Sequence, residues 1–491
     1  MTEVQLAGGR VRGAEAEGVL RFLGVPYAEP PTGARRFRAP VPKGSWTTVW
    51  DATHFPSPAV QTPMNPDAPS EVVGSEDCLY LNVWTPTLEG SLPVVVWVHG
   101  GAFVMGDGNL DGSSLASHGC VVVSINYRIG PFGYLYLDDI APGVVDSNLA
   151  LRDLSLAVEW IKTNIASFGG DPGAMVLTGE SSGAMTAGAL LATPACSRAF
   201  SGAWLMSGAA RQVRDRDTAT KSARVFLKAA GLNTETAAQV VSLSTEQLVA
   251  AARDLAARTQ LDEEFDAEVV LPVFGDDVLP EHPMAAIRSG ATRDVAVAVS
   301  WTLKDMGLFR TFDPVNGGKN KELFARRLIG DVRFDELVEL YGASDEDGYV
   351  DLLTDFHFAV PALRLAEAQV SAGGTSLVGR FDRTPVTEPW PTYGPVHTID
   401  MFYLFTPFST PSGSAGIAVG DGMLPEDRET ALIVRDLVLA LARGRHGTDS
   451  VEWPAYDLHE RPVLLMGETT VVESDPVAAR RAAWVGLLER P

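Results

Sequence analysis

The chain has 491 residues, 46% of them apolar and 21% charged, proportions ordinary for a globular protein with a large core, and no stretch is marked as disordered by its composition. A net charge of −23 at pH 7 argues against nucleic acid or an anionic membrane surface as partner, since both are gripped through clustered Lys and Arg. Three widely spaced cysteines, Cys78, Cys120 and Cys196, suggest neither a disulfide framework nor a zinc cluster, and the eight histidines lack metal-ligand spacing, so reduced core cysteines and no bound metal are expected.

The N-terminus, MTEVQLAGGRVRG, lacks a basic segment followed by an apolar run, and no apolar run of about 18 residues occurs later; the chain reads as cytoplasmic, without membrane insertion. PVVVWVHG at 93–100 is a strand that runs into His99-Gly100-Gly101-Ala102-Phe103. Small residues there would leave backbone N–H groups free to stabilise an oxyanion, although a glycine-rich turn needed only for its geometry would read the same way. CVVVSINY at 120–127 is another strand. NLALRDLSLAVEWIKTNIASF at 148–168 repeats Leu, Val, Trp and Ile at spacings of three and four, which gives a helix with one apolar face.

AMVLTG at 174–179 reads as a strand and SSGAMTAGALLA as a helix, with Ser181 at their junction inside Gly179-Glu180-Ser181-Ser182-Gly183. A strand, a tight turn and a helix N-terminus form the context in which G-x-S-x-G presents a nucleophile. Taken alone, the segment reads equally well as an ordinary turn; the HGGAF loop, requesting the same acyl-transfer chemistry, shifts the balance toward a nucleophile. Further strands are predicted at 202–208, 294–300 and 375–381, and two or three helices across 216–260, with Gly231 as a C-cap and Ser244 to Gln247 as a capping box. The acidic SDEDG at 344–348 reads as a solvated loop. Near-continuous apolar strands alternating with helical patterns predict an α/β fold on a mostly parallel sheet covered on both faces. With no internal repeat and no linker, a single domain over 1–491 is expected, with helical excursions around 211–260 and 317–370.

Several longer stretches resemble one family in order. FLGVPYAEPPTGARRFRAP at 22–40, SEDCLYLNVW at 75–84, NYRIGPFGYL at 126–135, FGGDPGAMVLTGESSGA at 168–184 and WPAY at 453–456 are similar to signatures of the type-B carboxylesterases, the α/β-hydrolase group of para-nitrobenzyl esterases, carboxylesterases and cholinesterases. The resemblance implies an α/β-hydrolase fold, helical excursions over the active-site face, and a serine, acid and histidine triad in that chain order. GPVHTIDMFYLF at 394–405 matches the family's histidine segment, which makes His397 the expected base and Asp400 a buried structural carboxylate. His54, His118, His282, His357, His446 and His459 are expected at the surface or in packing.

The acid admits two registers in SWTLKDMGLF at 300–309, where the family carries Glu. One puts Met306 on the catalytic position and leaves no acid; the other puts Asp305 there and is preferred, because an elbow and a histidine loop need a carboxylate to orient the imidazole. Asp276 or Asp277 would be a relocated acid. The oxyanion donors carry over as the backbone N–H groups of Gly101, Ala102 and Ser182. Ala102 stands where the family has Gly, and Ser182 where it has Ala, which admits effects on acyl or alcohol fit. Glu180 either supports His397 and a water or is satisfied by backbone N–H groups. The family's usual disulfide partner for Cys78 is missing around 57–61, as in an intracellular member.

The expected activity is hydrolysis of small to medium carboxylic esters through an acyl-enzyme, with an ester and water as partners and no cofactor. Aryl carbamates or amides are the alternative substrates, and a non-catalytic scaffold is the alternative class. Phe103, Trp301 and Phe309 are large enough to shape the pocket but are not assignable to either side of it.

Overall fold

A computed structural model of the chain describes residues 1–62, 71–259, 270–312, 319–343, 346–388, 390–406 and 423–487. Thirteen strands are described: β1 (Thr2–Gln5), β2 (Arg10–Ala16), β3 (Val19–Pro26), β4 (Trp50–Asp51), β5 (Tyr80–Thr85), β6 (Leu92–Val98), β7 (Val121–Ile125), β8 (Gly170–Glu180), β9 (Gly202–Met206), β10 (Ala296–Thr302), β11 (Ser376–Phe381), β12 (Pro462–Met466) and β13 (Thr470–Ser474). They form one sheet in the order β1-β2-β3-β5-β7-β6-β8-β9-β10-β11-β12-β13, with β4 added beside β2. The seven strands from β7 to β12 along that order run parallel, and the margins are antiparallel apart from the parallel pairing of β4 with β2. This is the α/β-hydrolase arrangement of a large, mostly parallel sheet flanked by helices.

Side-chain alternation along β6 shows why the sheet must be covered twice. Val94, Val96 and Val98 enter one core with Leu154, Ala157 and Ile161 of the helix Leu149–Asn164, while Val95 and Trp97 enter another with Val434 and Val438 of the helix Pro425–Ala442. The helix predicted over 148–168 ends as a 3₁₀ turn, Ile165–Phe168, closed by Gly169 at φ 77°. Arg128, in the NYRIG stretch after β7, is buried against Asp153 of the helix Leu149–Asn164 that follows it, through contacts of 2.8 and 2.6 Å, so that this loop is fixed to the helical layer.

Across 216–260 the described helices are Arg216–Ala229, a 3₁₀ turn Ala237–Ser242 and Thr245–Thr259. Gly231 follows the first at φ 75°, and Ser244 and Gln247 exchange two hydrogen bonds, Ser244 N–H to Oε1 at 2.8 Å and Gln247 N–H to Oγ at 3.2 Å, which is a capping box. Five helical segments occupy 319–371. The expected loop at 344–348 is corrected in part: Glu346, Asp347 and Gly348 open the helix Glu346–Thr354, where two acidic residues suit the positive end of the helix dipole, and residues 344 and 345 lie outside the described residues. All three cysteines are buried and unpaired, with burial pushing each thiol upward. No described helix is long and apolar enough to cross a membrane.

Candidate active site

The sequence-predicted site residues gather at the carboxyl edge of β6, β8 and β10, the edge where open parallel sheets present their ligand crevices. Register does the first positioning. Glu180, Met206 and Ser300 stand side by side on β8, β9 and β10. The chain then breaks away at each: the Ser181 N–H donates to Met206 O at 2.9 Å, and the Ser207 N–H to Ser300 O at 2.8 Å.

Ser181 has φ 55° and ψ −130°, a conformation costing about 1–3 kcal/mol for a residue with a side chain, and it caps the helix Ser182–Leu191. All ten residues of that helix are buried. The small residues of the elbow make the turn possible: a Cβ on Gly183 would lie 2.3 Å from Val98 O. The loop after β6 lies against this elbow. Gly101 has φ 114°, and Ala102 and Phe103 also carry positive φ, 53° and 64°. Tyr127 donates from its hydroxyl to His99 O at 2.8 Å and stacks on the His99 ring at 4.5 Å, and Gly130 N–H donates to Phe103 O at 2.7 Å. Among the described residues, the N–H groups of Gly101, Ala102 and Ser182 meet no protein acceptor, as oxyanion donors require.

His397 follows the β11 crossover and is buried. Its Nδ1 lies 2.6 Å from Asp305 Oδ1, and its N–H donates to Asp305 O at 3.3 Å. The other Asp305 oxygen, Oδ2, accepts the Thr302 N–H at 2.9 Å and the Ser207 hydroxyl at 3.0 Å. Met306 points into the apolar core, while its N–H donates to Thr354 Oγ1. Asp276 pairs with Ser147 and Asn148, and Asp277 with Arg152, away from His397.

Glu180, immediately before Ser181, brings Oε1 to 3.2 Å from His397 Nε2, off the angle needed for a hydrogen bond, and its carboxylate accepts no backbone N–H among the described residues. No hydrogen bond joins Ser181 Oγ to the imidazole in this conformation; such contacts commonly tighten only when substrate binds. Asp400 is fully buried, its Oδ1 accepting the Met401 N–H at 3.1 Å and its Oδ2 unpaired.

These buried acids hold protons unusually well. Burial, reinforced by the charges of Asp400 and Asp305 and opposed by His397, lifts Glu180 to about 8. Burial and the Asp305 charge lift Asp400 to about 7. Burial pushes His397 down, but Glu180, the hydrogen bond and charge of Asp305, and Asp400 outweigh it and raise the imidazole to about 9. Glu180 and His397 compete for the same proton; both sit above their ordinary values because one charge is buried among others.

Sequence reasoning missed three partners. Ser207 and Thr302 grip the acid through an ordinary strand-end hydroxyl and a backbone N–H, neither of which has a local signature. Phe358 comes from a π-helical turn, Asp355–Ala359, and its ring lies 5.0 Å from the imidazole, as does that of half-buried Phe309. Of the three large residues considered for the pocket, Phe103 packs edge-on against Tyr134 and Trp301 is buried in the core, so only Phe309 touches the imidazole. The Ser182 hydroxyl is buried and accepts the Phe103 N–H at 3.1 Å.

A carboxylesterase family model matches residues 1–484. The chain is 34% identical to the para-nitrobenzyl esterase of Bacillus subtilis over 96% of both chains, and 30% identical to the phenmedipham hydrolase of Pseudarthrobacter oxydans over 94% of both. Among solved structures, a Geobacillus stearothermophilus carboxylesterase superposes with a TM-score of 0.84 at 32% identity, covering 99% of this chain and 100% of that one.

Proposed function

The chain belongs to the carboxylesterase family, and on that premise we propose that its ester hydrolysis runs through Ser181, His397 and Asp305, with the N–H groups of Gly101, Ala102 and Ser182 receiving the oxyanion. The observation that carries this reading is the 2.6 Å bond from Asp305 to His397 Nδ1, which leaves Nε2 on the side of Glu180 and the strained Ser181 turn.

With Asp305 holding the proton on Nδ1, neutral His397 accepts the Ser181 hydroxyl proton at Nε2 as Oγ attacks the ester carbonyl. The tetrahedral oxyanion is stabilised by the three backbone donors, each worth about 3–4 kcal/mol in such sites. His397 then protonates the departing alcohol, and the same imidazole activates the water that releases the acid. Asp305 is one methylene shorter than the family's Glu, and the bond from His397 N–H to Asp305 O brings the two backbones within hydrogen-bonding range to compensate. We read the chain as one domain built around this sheet.

Wild type and Ser181→Ala are compared on p-nitrophenyl acetate. Loss of turnover in the variant supports the assignment; equal rates in both would sink it. An aryl carbamate belongs in the same panel, because the phenmedipham hydrolase relative makes carbamate cleavage the second reading.

A further inference from the structure

One contact joins the loop after β6 to the turn after β8 through a side chain: the Phe103 N–H donates to Ser182 Oγ at 3.1 Å, in a buried position. The peptide plane it anchors lies between two residues in left-handed conformation, Ala102 at φ 53° and Phe103 at φ 64°. Side chains with a Cβ disfavour that region, so the conformation persists only where its surroundings impose it. Packing on Ala102 does not impose it, because Ala102 is exposed. The Gly130 N–H secures the Phe103 carbonyl, and the Val104 and Met105 N–H groups secure the Gly101 carbonyl, at 3.1 and 3.0 Å. The plane between Ala102 and Phe103 is held by neither, and among the described residues Ser182 Oγ is the acceptor of its N–H.

Resting on the reading of Gly101 and Ala102 as oxyanion donors, we propose that the Ser182 hydroxyl is a positioning group for the oxyanion loop: by accepting the Phe103 N–H it holds Ala102 left-handed and ties the turn that carries the Ala102 N–H, whose own peptide plane is set through the Gly101 carbonyl, to the nucleophile elbow. Ser182 opens a helix that is buried along its whole length, so its hydroxyl is a rigid reference for the loop. The same residue then contributes one donor by its own N–H and, by its side chain, anchors the turn that carries a second. Its role is coupled to the methyl of Ala102, because glycine would occupy the same φ without strain.

The test is a cycle of Ser182→Ala, Ala102→Gly and the double variant. It is read by kcat and KM on p-nitrophenyl acetate and by the inhibition constant of an aryl trifluoromethyl ketone, which forms a tetrahedral adduct, against its non-fluorinated methyl ketone. Ser182→Ala is expected to lower kcat about tenfold with KM within about twofold, and to weaken the trifluoromethyl ketone but not the methyl ketone. Adding Ser182→Ala to Ala102→Gly is expected to cost less than about threefold, a comparison that stands even if the single Ser182→Ala variant folds poorly. Wild-type kcat in Ser182→Ala, or an equal tenfold loss in the Ala102→Gly background, overturns the proposal. Ser181→Ala measured alongside separates the two levels: full activity there removes the catalytic reading itself, whereas an inactive Ser181→Ala with an uncoupled cycle removes only the role of the Ser182 hydroxyl.

Discussion

Replacing Asp305 by Asn keeps the shape of the side chain and changes one atom. The Thr302 N–H at 2.9 Å from Oδ2 decides which way the new amide faces, since a second N–H group there would meet a donor. The amide oxygen therefore takes the Oδ2 position, and the NH₂ group faces His397 Nδ1, 2.6 Å away in the wild type. An N–H donor at that point forces Nδ1 to become the acceptor and moves the imidazole proton to Nε2, where it blocks uptake of the Ser181 proton. Tautomer reversal of this kind costs about 10⁴ in kcat, or about 5.5 kcal/mol of barrier. Glu180 still faces Nε2 and stabilises a charged imidazole, so the expected loss is about 10³–10⁴. Met306→Leu, a swap of similar volume in the core, is expected to stay within about threefold of wild type. The assay is steady-state p-nitrophenyl acetate hydrolysis normalised by active-site titration, with thermal melts as a folding control. A loss of less than tenfold in Asp305→Asn, or a greater loss in Met306→Leu, would refute the reasoning.

Two further outcomes concern protons. The acid limb of kcat/KM should lie above the ordinary imidazole value of 6.5, because Glu180, Asp305 and Asp400 raise His397, and Glu180→Gln should move that limb downward; a limb unmoved by this substitution would show that Glu180 is not what holds the proton. Asp400, ordinarily at 3.8 and lifted to about 7, favours the fold while protonated, so its contribution is complete below pH 3.8 and lost as pH rises through 7. Glu180, lifted to about 8, and His397, lifted to about 9, act in the same direction. Wild type should lose stability from pH 5 to pH 9, and Asp400→Asn should remove at most about 3 kcal/mol of that loss, since about two pKa units of the Asp400 range lie above pH 5, at about 1.4 kcal/mol per unit. Urea midpoints at the two pH values measure it, and equal declines in the two proteins would count against the assignment.

The features legible in the sequence were those encoded within a few neighbouring residues. Unbroken apolar runs identified β6 to β11 because those strands are buried on both faces, and the capping box and Gly231 marked helix ends by local chemistry. The margins β1 to β5 and β12 to β13 were not distinguished: half-exposed strands such as RVRGAEA carry a weaker apolar signal, whereas the buried YLNVWT of β5 and PVLLM of β12 are apolar runs that sequence reasoning missed. Within the site, the elbow and the HGGAF loop were legible because their backbones need small residues at fixed offsets. The choice between Asp305 and Met306 was open in the letters alone; what separates them spatially is the grip of Ser207 and Thr302 on one and of the core on the other. Ser182 was legible as a departure, but its hydroxyl's partner lay 79 residues upstream.

The row formed by Glu180, Met206 and Ser300 also orders events in time. Asp305 meets a base 92 residues later in the chain, and Ser207 meets Asp305 across 98 residues, so none of these contacts can form by local folding. During synthesis Ser181 emerges long before His397. With Ser181 read as the nucleophile, the growing chain carries it as an ordinary alcohol until β8, β9 and β10 have paired in register and His397 has docked.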